Sequence, residues 1–227
     1  MIADEPSTLE RKLNRTVKSN PGIKLGTDGN PRCWWCAGDP LYESYHDTEW
    51  GRPQDDDRLL FEKIVLEGFQ SGLSWITILR KRENFRAAFK NFDIETVEKF
   101  GARDVKRLLG DAGIVRNRAK IQSAINNAGR CLDLIEEFGS LANYVWRYEP
   151  PAKSRPKRLG YDLVMAMTTC DEAIAMSKDL RKRGWSFVGP TTLYAFMQDM
   201  GLVNDHLSAC PIREVAEAAR SKFRRPG

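Results

Sequence analysis

The 227-residue chain holds only two histidines, and each stands near cysteines. Cys33 precedes His46 by thirteen positions, and His206 precedes Cys210 by four. If the second segment is helical, the i, i+4 spacing sets His206 and Cys210 on one face. Two thiolates and two imidazoles make a closed tetrahedral set, the donor chemistry of a structural zinc with no position left for a catalytic water. The ligands come from opposite ends of the chain, so an ion joining them closes a loop of about the whole domain. The rival reading leaves the histidines as core or surface residues and the thiols inert, and spacing alone does not choose. Cys33-Trp34-Trp35-Cys36 is also a CxxC, able to chelate metal or carry redox chemistry, but the chain lacks the second CxxC of a zinc ribbon.

A second group is aromatic. Trp34, Trp35, Tyr42, Tyr45 and Trp50 fall within seventeen residues, and Trp75 follows. Such faces stack on nucleobases, and a cationic, alkylated base adds a cation–π attraction on the order of 2 kcal/mol when desolvated. Ordinary core packing claims the same rings equally well. Glu67 sits in Ile64-Val65-Leu66-Glu67-Gly68, where its neighbours imply burial. A carboxylate there needs donors: the exocyclic amine of a bound base, a helix N-terminus, or an arginine. Taken by itself, the sequence favours the structural roles.

A third feature is Leu108-Leu109-Gly110-Asp111-Ala112-Gly113-Ile114-Val115-Arg116, between two helical stretches. Gly110 and Gly113 permit a tight, partly left-handed turn. A helix starting near Asn117 would offer free N–H groups to a phosphate. Arg116, Arg118 and Lys120 add charge that is blind to base sequence. A plain helix-to-helix connection with a solvated basic face is the alternative.

The elements that position these groups are helical. Arg58–Gly68 carries apolar residues at helix spacing behind the capping candidates Asp55–Asp57. Further helices are expected at 75–89, 94–99, 102–109, 117–138, 139–146, 170–183, 191–200 and 212–222, with a proline-containing loop at 148–159. Strand-like alternation is scarce, and the expected class is all-α. Residues 1–30 read as a flexible basic leader with a short helix around Leu9–Val17, 31–223 as one functional unit, and 224–227 as a basic tail. Charged residues interrupt every apolar stretch and the N-terminus has no secretory pattern, so a cytoplasmic protein is expected. Five widely spread cysteines make no disulfide framework. A net charge of +5 permits a polyanion partner without requiring one.

The motifs, in this order, resemble the 3-methyladenine DNA glycosylase I family. Cys33-x-Trp35 and Asp39-Pro40-Leu41-Tyr42-x-x-Tyr45-His46-Asp47-x-Glu49-Trp50-Gly51 are similar to its opening. Leu66-Glu67-Gly68-x-Gln70-Ser71-Gly72-Leu73-Ser74-Trp75 and Lys81-Arg82-Glu83-Asn84-Phe85 resemble its centre, and Asp111–Arg116 its hairpin. Phe187-Val188-Gly189-Pro190-Thr191-Thr192 and Gly201-Leu202-Val203-Asn204-Asp205-His206 resemble its closing segments.

The resemblance implies an all-helical helix–hairpin–helix DNA glycosylase fold, two-lobed with the base pocket between the lobes. One structural Zn2+ would join the N- and C-terminal segments through Cys33, His46, His206 and Cys210, and Cys36 is demoted as a ligand. Glu67 takes the place of the base-reading, catalytic carboxylate. Tyr45 and Trp75 match the stacking rings, with Trp35, Tyr42 and Trp50 nearby. Leu73 falls where a side chain presses into the gap left by an everted nucleotide, and Gly113, Arg116 and Arg118 fall on the DNA backbone. The implied activity is hydrolysis of the N-glycosidic bond of N3-methyladenine by a monomer acting on alkylated double-stranded DNA. No lysine occurs in the pocket motifs, so no Schiff-base lyase step is expected. Departures from the pattern are Phe69, the leader, and a last helix followed by Arg224-Arg225, a further candidate DNA contact. A non-catalytic damage binder, a zinc hydrolase of another class and a zinc-finger-like module are the rival functions.

Overall fold

The computed structural model describes residues 20–227, and the helix expected around Leu9–Val17 lies outside them. The chain enters through an antiparallel ribbon, β1 (Ile23–Leu25) and β2 (Pro31–Cys33), with Ile23 opposite Cys33. Organised structure thus begins ahead of Cys33, and the class is mostly helical rather than all-α. Ile23 is 2% exposed and joins Cys33, Leu207 and Cys210 in a small separate core. A Cβ on Gly22 would crowd the Leu207 side chain and the Tyr161 ring, so a glycine here suits the close approach of the ribbon to the C-terminal segment. Arg32 fastens the ribbon through ion pairs to Asp28 and to Asp47.

Helix α1 (Pro40–Thr48) starts where the Asp39 carboxylate accepts from the N–H groups of Leu41 and Tyr42, with proline in the first turn. Helix α2 (Asp57–Gln70) is capped by Asp56 and buried at every residue from Leu60 to Phe69. A helix apolar on most of its circumference must be surrounded. Around it pack α3 (Trp75–Ala88), α6 (Arg118–Phe138), α7 (Leu141–Trp146) and α10 (Pro190–Asp199). Short helices α4 (Ile94–Glu98) and α5 (Ala102–Gly110) lie on α6. Helix α9 (Asp171–Lys182) lies on α10, and α11 (Ile212–Lys222) closes the chain. Asn117 caps α6, and Gly139, at φ 82, ends it in the left-handed conformation.

The structure revises three expectations. A helix without a sequence-based expectation, α8 (Tyr161–Ala166), follows the proline-containing loop. The segment holding His206 and Cys210 is not helical. Arg225 is not a free cation: its guanidinium bonds both oxygens of Glu149 and lies near the Trp146 ring. Among the described residues, no helix is long and apolar enough to cross a membrane.

Candidate functional site

Helix α2 ends at Gln70, and a turn of four residues leads directly into α3 at Trp75. Beside that junction lies a cavity of about 300 Å³. One side carries Trp34, Trp35, Tyr42, Tyr45 and Trp50, from the ribbon exit and α1. Its other walls are Glu67, Gln70 and Trp75, then Val164–Thr168 at the end of α8, then Ala195, Gln198 and Asp199 of α10. The expected base-binding rings therefore converge. Tyr45 and Trp75 stand 5.6 Å apart between centroids, Trp35 and Tyr42 4.8 Å, and Trp35 and Trp50 5.0 Å. These tilted and edge-on contacts hold the rings to one another and leave a recess among them.

Glu67 projects from the buried face of α2 into this recess and is 4% exposed. Neither a helix N-terminus nor an arginine meets it: among the described residues no hydrogen bond or ion pair engages its carboxylate. Burial pushes its carboxyl up to about 7, while the positive charge of Lys63 pulls the other way. A buried acceptor facing a cavity with its oxygens free is costly unless something that enters the cavity donates to it.

Lys63 stands one helical turn before Glu67, outside the pocket motifs, yet the fold brings its amine to the pocket rings. Its Nζ lies 2.7 Å from Asp199 and 3.3 Å from the Tyr45 hydroxyl, and 3.9 Å from the centroid of Trp75. The Tyr45 hydroxyl donates to the other oxygen of Asp199. Burial draws Lys63 down to about 7 and Asp199 well above the usual carboxylate range. At 2.7 Å each group is the other's nearest counter-charge. Lys63 does not line the cavity, whereas Asp199 does.

Behind Trp35 and Trp50 lies the cysteine–histidine cluster. The ligand atoms of Cys33, His46 and Cys210 fall within 4.8 Å of one another, all buried. Cys210 Sγ is 3.7 Å from His46 Nε2. Sulfur and nitrogen on one tetrahedral zinc stand about 3.6 Å apart, so the donors fit such an ion. Asp47 holds His46 Nδ1 at 2.7 Å and so aims Nε2 at the cluster. A hydrogen bond from Cys33 draws the Cys210 thiol down to about 5, and the same contact pushes Cys33 well above the usual thiol range. His206, the fourth expected ligand, is packed ring to ring with His46 at 4.7 Å but lies outside this three-donor set. Its Nδ1 bonds Asn204 Oδ1 at 2.8 Å, its Nε2 lies 3.4 Å from the His46 carbonyl, and burial draws it down to about 3, the neutral imidazole. Cys36 is apart from the cluster, its thiol donating to the Cys33 carbonyl and pushed up by burial.

Leu73 is 43% exposed on the turn between Gln70 and Trp75, next to the cavity mouth, where Gly72 takes φ 79. Lys120, read from sequence as a phosphate contact, is instead buried and donates to the carbonyls of Phe69 (2.9 Å) and Ser71 (2.6 Å), fastening that turn. Residues 111–117 connect α5 to α6. Neither Gly110 nor Gly113 is left-handed; Gly113 is required because a Cβ would meet Asp111 Oδ1 at 2.9 Å and Asn84 at 3.1 Å. Lys81 donates to the carbonyls of Ala112 and Gly113. Arg116 and Arg118 are exposed, and neither has a partner among the described residues.

Sequence reasoning missed Lys63, Gln70, Gln198, Asp199 and the α8 end. One signal was available: Lys63 and Glu67 are an i, i+4 pair, so burying one side chain brings the other along. The α10 and α8 contributions have no local signature.

Comparison with known proteins agrees with this geometry. A family model described as methyladenine glycosylase matches residues 35–214. The chain is 46% identical over 179 residues to DNA-3-methyladenine glycosylase 1 of Escherichia coli K12, an alignment covering 79% of this chain and 95% of the relative. It is 42% identical over 185 residues to DNA-3-methyladenine glycosylase of Haemophilus influenzae Rd, covering 80% and 97%. A crystal structure of a 3-methyladenine DNA glycosylase I matches with TM-score 0.73 at 46% identity, over 79% of this chain and 98% of the other. The Staphylococcus aureus 3-methyladenine DNA glycosylase I, in a structure described as the basis of its 3-methyladenine recognition, matches with TM-score 0.73 at 35% identity, over 80% and 96%. A match spanning most of the chain, and including the turn from Glu67 to Trp75, is sufficient: the chain belongs to the methyladenine glycosylase family.

Proposed function

We propose that this protein is a DNA base-excision glycosylase that hydrolyses the N-glycosidic bond of 3-methyladenine in alkylated double-stranded DNA, without a lyase step. The observation that carries the proposal is the unpartnered, buried Glu67 carboxylate facing a cavity walled by Tyr45 and Trp75. An N3-methylated adenine is a cation, so its bond to the sugar is already weakened and its departure needs little acid help. The rings supply π faces to that cation. Glu67 accepts from the exocyclic amine and stabilises the positive charge, favouring the lesion over unmodified adenine. Water then attacks the anomeric carbon and leaves an abasic site. The amine of Lys63 is held by Asp199 and Tyr45 and does not line the cavity, which favours hydrolysis over Schiff-base chemistry.

In this reading Leu73 fills the gap in the duplex, and the connection 111–117 with its flanking helices is the hairpin of a helix–hairpin–helix unit. Gly113, Arg116 and Arg118 would meet the DNA backbone, with the cavity between two lobes. Cys33, His46 and Cys210, with His206 adjacent, would hold one Zn2+. The ion would serve as a clamp between chain ends and take no part in the chemistry.

The test is release of free bases from methylated DNA. Wild type is expected to release 3-methyladenine, and Glu67→Gln to release it about 100-fold more slowly while keeping the same fold and metal content. Unimpaired release by Glu67→Gln removes Glu67 from the reaction, and no release by wild type leaves a damage binder.

A further inference from the structure

The Lys63–Asp199 pair is an expensive feature to build beside a cavity for a cation, because both groups lose their hydration. The side chains are 5% and 3% exposed as residues, and the Lys63 ammonium sits over the Trp75 indole at 3.9 Å from its centroid. Trp75 lines the cavity and Lys63 does not, and the same ammonium stands 4.9 Å from the centroid of Tyr45. An indole has one π system. A cation against one face draws its density away from the other, and the field of the ammonium also reaches the cavity through a medium of low dielectric. Left alone, Lys63 would oppose any positively charged purine stacked on the same ring.

Asp199 removes that opposition. Its two oxygens take different partners, Lys63 Nζ at 2.7 Å and the Tyr45 hydroxyl, which Lys63 also approaches at 3.3 Å. With its proton committed to Asp199, Tyr45 offers the cavity a ring and no donor. We propose that Asp199 and Lys63 are positioning residues that set the charge preference of the base cavity: Asp199 offsets the ammonium that lies over Trp75 and Tyr45 and fixes the Tyr45 hydroxyl, so that both rings remain attractive to a cationic purine. The proposal rests on the reading of this cavity as the base site and adds to it the residues that tune it.

The experiment compares binding of two probes by calorimetry: 3,9-dimethyladeninium, a fixed cation, and 9-methyladenine, the neutral purine that lacks the N3-methyl group; the size difference is the same in every variant, so changes in the affinity ratio between variants report the charge preference. Wild type prefers the cation. Asp199→Asn removes the carboxylate that offsets the positive charge of Lys63 and lowers the cation-to-neutral affinity ratio about tenfold. The double variant Lys63→Met/Asp199→Asn, with no buried charge, returns the ratio to within about threefold of wild type, an effect that packing alone would not produce. If Asp199→Asn does not fold, Lys63→Met decides, with an expected rise in the ratio of about threefold or more. Equal losses for both probes in Asp199→Asn, an unchanged ratio in a folded single variant, or a wild type that shows no preference or binds neither probe overturns the proposal. Base release from methylated DNA is measured on the same wild-type sample. Absence of release there rejects the glycosylase reading, while the probe ratios still decide the pair.

Discussion

Glu67 is held between two demands. Its place on the buried face of α2 disfavours its charge, and the cation it is proposed to receive requires that charge. With the carboxyl raised to about 7, the ionised form dominates above that pH and the neutral form below it. For excision of a cationic base, kcat/KM is therefore expected to fall about tenfold per unit as pH drops below this value, and to level off above it. In Glu67→Gln the same limb should be absent, which separates Glu67 from Lys63, drawn into the same range. A pH profile of base release by both proteins checks this, and an unchanged limb in the variant would assign it elsewhere. At this scale the sequence was informative about residue type and silent about partners. Glu67 in an apolar helix was visible, but whether it met an arginine, a helix end or a cavity depended on residues far away in the chain.

The turn from α2 to α3 and the connection from α5 to α6 show how elements divide the work. Lys120 reaches from α6 to the last carbonyls of α2, groups that a helix leaves without internal partners. Lys120→Met is expected to cost about 1–3 kcal/mol of stability, measured by urea unfolding, because two charge-assisted hydrogen bonds disappear. Arg116 and Arg118 stay free at the start of the same helix. Replacing both with alanine should leave stability unchanged and make the dependence of log K on log salt about 1.8 units shallower, equally on damaged and undamaged duplex. An unaltered slope would place the DNA on another face. Helix bounds were largely legible here, since Asp56 and Asn117 act as caps where the sequence set them. The role of Lys120 was not, because a basic residue near a hairpin looks the same whether it points to solvent or into the protein.

For the whole molecule, the cysteine–histidine cluster joins the ribbon at Cys33 to the segment before α11 at Cys210, and Trp50 lies against both His206 and Trp35. The clamp and the cavity therefore share a wall. Cys210→Ser is expected to lower bound zinc from one per chain to near zero and the Tm by about 10 °C. Metal analysis with a thermal melt checks both, with Cys36→Ser as the control that changes neither metal content nor Tm. A wild type that binds no zinc yet melts no lower than a zinc-loaded sample would reject the clamp.

The helical class and the caps could be read from the amino-acid sequence because they depend on local periodicity, whereas the base-binding rings and the proposed zinc ligands were named only through the order of motifs that resembles a known family, composition and spacing having left both open. The cavity wall from α8 and α10, the inward turn of Lys120 and the Lys63–Asp199 pair were decided by tertiary structure alone. Those features arise when helices far apart in sequence meet, and a charged side chain carries no mark of whether it faces water or a partner until burial removes the water.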